Sequence, residues 1–152
     1  MNHAERAAYL FKEKKFNCAQ AVFGAFTDVT GVDEAMAIRM SGAFGGGMGR
    51  LREVCGAVSG AIMVLSMVYA PEDPAAQDAK MEFYRRIQEF AGRFREMHGD
   101  IVCRELLGEK AGAAGHVPAE RTEEYYKMRP CERFVYDAAD ILEKYLEELK
   151  NA

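Results

Sequence analysis

Apolar residues in this chain recur at three- and four-residue steps, and most such runs are bounded by a residue that starts or stops a helix. From Ala4 to Lys15, Ala8, Leu10 and Phe11 stand among charges, the pattern of a short amphipathic helix. Asn17 is a good N-cap, and an apolar helix runs from Cys18 through Phe26 towards Gly31. Asp33 caps a third helix through Met36, Ile38 and Met40, ending near Gly42. Met81, Tyr84, Ile87, Phe90, Phe94 and Met97 form the apolar stripe of a long helix from Pro74 to His98, which Gly99 ends. Asp100 caps a short helix, Ile101 to Leu107, stopped by Gly108. Glu109 to Val117 reads as a loop, and a turn of helix follows Pro118. The last helix runs from Cys131 to Leu149, burying Phe134, Val135, Ala138, Ile141, Leu142 and Tyr145 with its charges outward.

The middle of the chain is different. Gly45-Gly46-Gly47-Met48-Gly49 cannot continue a helix cheaply, since each glycine costs about 1 kcal/mol against alanine. An apolar helix follows from about Val54 to Tyr69, ended by Pro71-Glu72-Asp73-Pro74. No stretch alternates at period two, which predicts an all-α fold. The expected architecture is one domain over residues 1–152, a bundle of about six to seven helices around a buried, glycine-rich central helix at 54–70.

Composition narrows the function classes. The net charge of −4 over 152 residues offers no basic field for nucleic acid or anionic lipid. The start, MNHAERAAYLFKEKK, mixes charges with its apolar residues, unlike the unbroken core of a signal peptide, so a cytoplasmic location is expected. Val54 to Ala70 is too short and too interrupted by glycine and serine for the ~20 apolar residues of a membrane span. In a reducing compartment structural disulfides are uncommon. Cys18, Cys55, Cys103 and Cys131 are then inert core thiols, metal ligands or redox groups.

Each cysteine falls in the first turn of an expected helix: after Asn17, after the glycine turn, three residues after Asp100, and after Pro130. First-turn N–H groups lack helical partners and carry partial positive charge, which favours the thiolate. That form attacks disulfides and binds metals, and the same amides can hydrogen-bond cluster sulfurs. None of the four belongs to a CxxC pair, so any pairing is made by the tertiary fold. Cys55 follows the most permissive helix start and is expected to react fastest, ahead of an unactivated thiol of pKa about 8.5. The leading reading is thiol–disulfide or electron-transfer chemistry by Cys55, Cys18, Cys103 and Cys131 with an electron partner. The alternatives are an iron–sulfur or soft-metal module using the same thiols, and a structural or homo-oligomeric helical protein with inert cysteines.

Gly45 to Gly49 match no dinucleotide fingerprint, having no GxGxxG register and no preceding strand, and no Gly-Lys-Ser/Thr closes a P-loop. Gly45, Gly46, Gly47, Gly49 and Gly56 instead allow close approach, either by a neighbouring helix or by a cofactor, with Arg50 and Arg52 adding positive charge. The methionines, Met63 and Met67 among them, are expected in the core. His3, His98 and His116 are scattered, and Ser59 has no visible His–Asp partnership.

Cys55-Gly56-Ala57-Val58-Ser59-Gly60 resembles the central signature of the C_GCAxxG_C_C family of bacterial and archaeal proteins. Its other elements are present as Asn17-Cys18-Ala19-Gln20-Ala21-Val22, Gly45-Gly46-Gly47-Met48-Gly49-Arg50, Cys103-Arg104-Glu105-Leu106-Leu107-Gly108 and Cys131. The resemblance covers roughly residues 16 to 146. It implies a helical protein whose four cysteines carry a redox role, and related modules imply an iron–sulfur centre held by some of these thiols.

Overall fold

In the computed structural model, which describes residues 1–112 and 115–152, side-chain caps set most of the early helix starts. Asn2 accepts the Glu5 N–H and Glu5 reaches back to Asn2, opening α1 (His3–Lys12). Asn17 and Gln20 repeat that reciprocal box at 2.9 and 3.0 Å to open α2 (Cys18–Ala25). Their spare amide groups reach the next helix, Gln20 donating to the Ile38 carbonyl and Asn17 to the Gly42 carbonyl. The expected single helix from Asn17 towards Gly31 breaks at Phe26, whose ring is fully buried and stacks on His3 at 4.1 Å. A short α3 (Thr27–Thr30) follows, ended by left-handed Gly31. Asp33 caps α4 (Glu34–Ser41) as expected.

The central helix, α5 (Gly56–Tyr69), buries Gly56, Ala57, Val58, Gly60, Ala61, Val64 and Leu65, while its last turn turns Met67 and Val68 outward. Gly60 is the contact point with α2: a Cβ there would stand 2.6 Å from the Ala19 carbonyl oxygen. The long helix α6 (Gln77–His98) starts later than expected, because Asp73 folds Pro74 and Ala75 into a turn by accepting the Ala75 N–H. Its stripe is buried only at Phe90, Ala91 and Phe94, and Met81, Tyr84 and Met97 are exposed. Among the described residues, Met63 is the one methionine that packs against the core, contrary to the expected methionine filling. Phenylalanines and small aliphatic residues fill it instead, because glycine and alanine faces bring the helices too close for long flexible side chains.

Two short helices, α7 (Cys103–Leu107) and α8 (Glu123–Met128), the latter capped by Thr122, precede α9 (Cys131–Lys150). Between them Gly108–Ala111 forms a single 3₁₀ turn in the segment expected as a loop, and residues 113 and 114 of that segment lie outside the described residues. α9 packs on α1, α2, α5 and α6. One of its charges is not outward: Asp137, 5% exposed, accepts from His98 Nε2 at 2.9 Å and from Arg133 Nε at 3.0 Å. Among the described residues there is no strand, and no helix is long and apolar enough to cross a membrane.

Because the Gly60 contact is with backbone, G60A must push α2 away from α5. The expected loss is about 2 kcal/mol, within the usual range for overpacking, measured by urea unfolding.

Candidate thiol site

The glycine turn is a left-handed coil. Gly46, Gly47, Met48, Gly49 and Arg50 have φ of 67°, 69°, 69°, 57° and 68°, and Arg52 has 62°. For a residue with a Cβ this conformation costs roughly 1–2 kcal/mol, so Met48, Arg50 and Arg52 hold local strain. The turn delivers residues 53–55 antiparallel to residues 101–103. Cys103 N–H donates to the Glu53 carbonyl at 2.6 Å and Cys55 N–H to the Ile101 carbonyl at 2.7 Å, with Val54 facing Val102 between them. That bridge explains why α7 starts at Cys103 and not at Ile101. Asp100 accepts from Ile101 and Val102 N–H, fixing the approach to the bridge rather than capping the helix.

Three of the flagged glycines are where other chain segments touch this turn. A Cβ on Gly47 would lie 2.7 Å from the Cys103 Cβ and 2.8 Å from the Arg52 Cα. A Cβ on Gly56 would lie 3.0 Å from the Cys18 Cβ, and the Asn17 side chain fills the space a Cβ on Gly45 would need. Gly46, Gly47 and Gly56 also line the thiol cavity, and Gly45, Gly46 and Gly49 line a neighbouring cleft.

All four cysteines open helices. Cys18, Cys103 and Cys131 are the first residues of α2, α7 and α9, and Cys55 is the N-cap of α5. All four line one cavity of about 60 Å³, room for a few water molecules. All are free thiols; Cys18 is half-buried and the other three are buried. Side chains distant in sequence thus meet in one place.

Their surroundings separate them. Interaction of the Cys18 thiol with the Cys131 sulfur raises Cys18 well above the ordinary thiol value, with burial adding to the rise. The same interaction lowers Cys131, helped by the positive charges of Arg129, Arg52 and Arg121 against the opposing effect of burial. Cys131 is therefore shifted towards its thiolate while the other three thiols are shifted away from theirs. Burial pushes Cys55 up to about 12, although the amides of Ala57 and Val58 face it and pull the other way without closing a hydrogen bond of capping geometry. Burial also raises Cys103, opposed by Arg52, whose Nη1 lies 3.8 Å from its sulfur. Burial works against the expected primacy of Cys55, because a permissive helix start does little to ionise a thiol enclosed by apolar atoms.

Arginine and tyrosine complete the walls. Arg52 and Arg129 both donate to the Ala111 carbonyl, at 2.9 and 3.0 Å. Arg121 donates to the carbonyls of Phe11 and Phe16 and stacks 4.2 Å from the Phe11 ring centroid. Tyr125, beneath Arg129, is pushed up to about 12 by burial and by negative charge on Cys131 and Cys18. Of these only Arg52 carried a signal in the sequence. Arg129 stands two residues before Cys131, which is a usable clue, whereas Arg121 and Tyr125 have none. His3 bonds Glu143 and Asp28, and His98 bonds Asp137, so neither faces the thiols. Among the described residues no three His, Cys, Asp or Glu side chains are spaced to hold a single metal ion as they stand.

A helical protein with four thiols gathered from four helix starts is the class that this fold and site define. The chain belongs to the C_GCAxxG_C_C family, described as "Putative redox-active protein (C_GCAxxG_C_C)", which matches residues 16–145 and so includes all four cysteines. No curated protein and no solved structure matches the chain.

The charge distribution sets an order of reactivity. A lowered Cys131 keeps its thiolate as pH falls below the ordinary thiol range, whereas Cys55 gains its thiolate only near pH 12. Iodoacetamide labelling followed by peptide mass mapping at pH 6 to 9 is expected to mark Cys131 ahead of Cys18, Cys55 and Cys103.

Proposed function

We propose that this protein is a dithiol–disulfide redox protein in which Cys131 attacks and Cys18 resolves. The observation that carries this reading is geometric: Cys18 and Cys131, the first residues of α2 and α9, line one cavity together with Arg52, Arg121 and Arg129. In the first step the Cys131 thiolate attacks one sulfur of an external disulfide, forming a mixed disulfide and releasing a thiolate. Cys18 then gives its proton to that leaving thiolate or to water and attacks the Cys131 sulfur. This forms Cys18–Cys131 and releases the second thiolate. The external disulfide gains two electrons and the cysteine pair loses two. Cys131 gives up its negative charge in the first step, on entering the mixed disulfide, and burial favours the neutral Cys18–Cys131 disulfide formed in the second.

A second reading is favoured by the number of thiols at the cavity. Exchange needs two, and Cys55 and Cys103 line the same space. An all-sulfur donor set with arginines beside it suits an anionic iron–sulfur cluster better than a single hard metal ion. Cys18, Cys55, Cys103 and Cys131 would hold it, and it would supply one-electron transfer. The arginines and the helix-start amides would stabilise its negative charge.

Mild oxidation of the reduced protein and peptide mapping test the first reading. A Cys18–Cys131 bond in the wild type and none in C131S are expected. A dominant bond through Cys55 or Cys103 would remove it. Anaerobic reconstitution with iron and sulfide, read by visible absorption and metal analysis, tests the second, and a colourless, iron-free product would remove that one.

A further inference from the structure

Beside the thiol cavity lies a cleft of about 400 Å³, within the size range of small-molecule sites. Arg52, Arg121, Arg129 and Tyr125 line both spaces, so the cleft and the thiols share a wall. Lys15, Arg50 and His116 line the cleft but not the thiol cavity. Among the described residues no acidic side chain lines either space. Among the described residues, Arg52, Arg121 and Arg129 bond backbone carbonyls, a tyrosine hydroxyl and a thiol, and none of them pairs with a carboxylate. Arg50 is half-buried and its guanidinium is lowered by burial and by the like charges of Arg52 and Arg129. In a chain of net charge −4, Arg52, Arg121 and Arg129 thus stand at the approach to the thiols with neutral partners among the described residues.

The geometry points to this cleft as the binding site for the carboxylate or phosphate groups of a small anionic disulfide, the substrate class of the exchange proposed above. The inference rests on that exchange reading. A concave approach favours a small molecule over a protein disulfide, because Cys131 and Cys55 are only 6% and 5% exposed. Arg121 and Arg129 are held by carbonyls and stacked on Phe11 and Tyr125, which fixes their guanidiniums at the shared wall without cancelling their charge. The bound anion brings its sulfur–sulfur bond to the shared wall, where Cys131 attacks it. Both thiolates released remain anionic, and the cleft that admitted the disulfide is also the exit for its two halves.

Three disulfides of similar length test the assignment: dithiodipropionate with two carboxylates, neutral bis(hydroxyethyl) disulfide, and cystamine with two ammonium groups. The readout is the rate of Cys18–Cys131 formation in the reduced protein, by stopped mass spectrometry. Dithiodipropionate is expected to react fastest and cystamine slowest, with the spread narrowing as salt rises. In the Lys15→Gln/Arg50→Gln variant the ratio of the dianion rate to the neutral rate is expected to fall about tenfold, the low end of what focused charge gives. Exchange that proceeds with cystamine equal to or faster than the dianion overturns the cleft assignment and leaves the exchange reading standing. If none of the three reacts, the exchange reading fails, and calorimetry with suberate, the all-carbon analogue, decides the cleft. Weaker suberate binding to the variant keeps an oxyanion site, and binding indifferent to the variant overturns it. Competition of inorganic phosphate against acetate in the same assay tells phosphate from carboxylate recognition.

Discussion

The closeness of backbone to backbone around Gly47 and Gly56 is the constraint on which the site depends. Cys103 can stand against the glycine turn only because Gly47 has no side chain, and Cys18 can stand against α5 only because Gly56 has none. The left-handed path through Gly46 to Arg50 then sets the direction in which residues 53–55 leave, and two backbone hydrogen bonds lock them to residues 101–103. Strain at Met48, Arg50 and Arg52 is tolerated because these neighbours over-determine the turn. The glycines therefore act first on the protein's own architecture. They bring the thiols together, and whatever the thiols do follows from that.

Once gathered, the four sulfurs are made unlike one another by what surrounds each. Burial alone raises a thiol, and for Cys55 nothing nearby is strong enough to offset it. Cys131 has both the Cys18 thiol and three guanidiniums acting on it, and these outweigh its burial. The arginines are themselves kept in place by neutral partners, carbonyls and aromatic faces, which orient them without cancelling their charge. A carboxylate in any of those positions would satisfy the guanidinium and take away its effect on the thiolate.

The helices were legible where local chemistry decides them. Asn17, Asp33, Gly31 and Gly99 mark ends that follow from capping and left-handed backbone, and the period of the apolar residues gave α6 and α9. The start of α7 was not legible at Ile101, because residues 101–103 are held extended by a segment nearly fifty positions earlier. Periodicity also overstated burial: Met81, Tyr84 and Met97 share the stripe of Phe90 and Phe94 but lie where no helix covers them. At the site, the thiols could be found from their place at helix starts. Their ranking could not, since it depends on Arg121 and Arg129, which only the tertiary fold brings to the cavity.

Cys131 opens the helix that packs on α1, α2, α5 and α6, and Cys18 opens a helix near the other end of the chain. A bond between them would close a loop of about 110 residues, and chain-entropy arguments put such a closure at about 4–5 kcal/mol relative to the unfolded chain. Thermodynamic closure gives that energy back as resistance to reduction, on the order of 100 mV towards a more reducing potential at 30 mV per 1.4 kcal/mol. On the proposed exchange, two thiols so far apart in sequence would make the redox pair a long-range clasp. Its electron affinity would then be tied to the stability of the whole bundle.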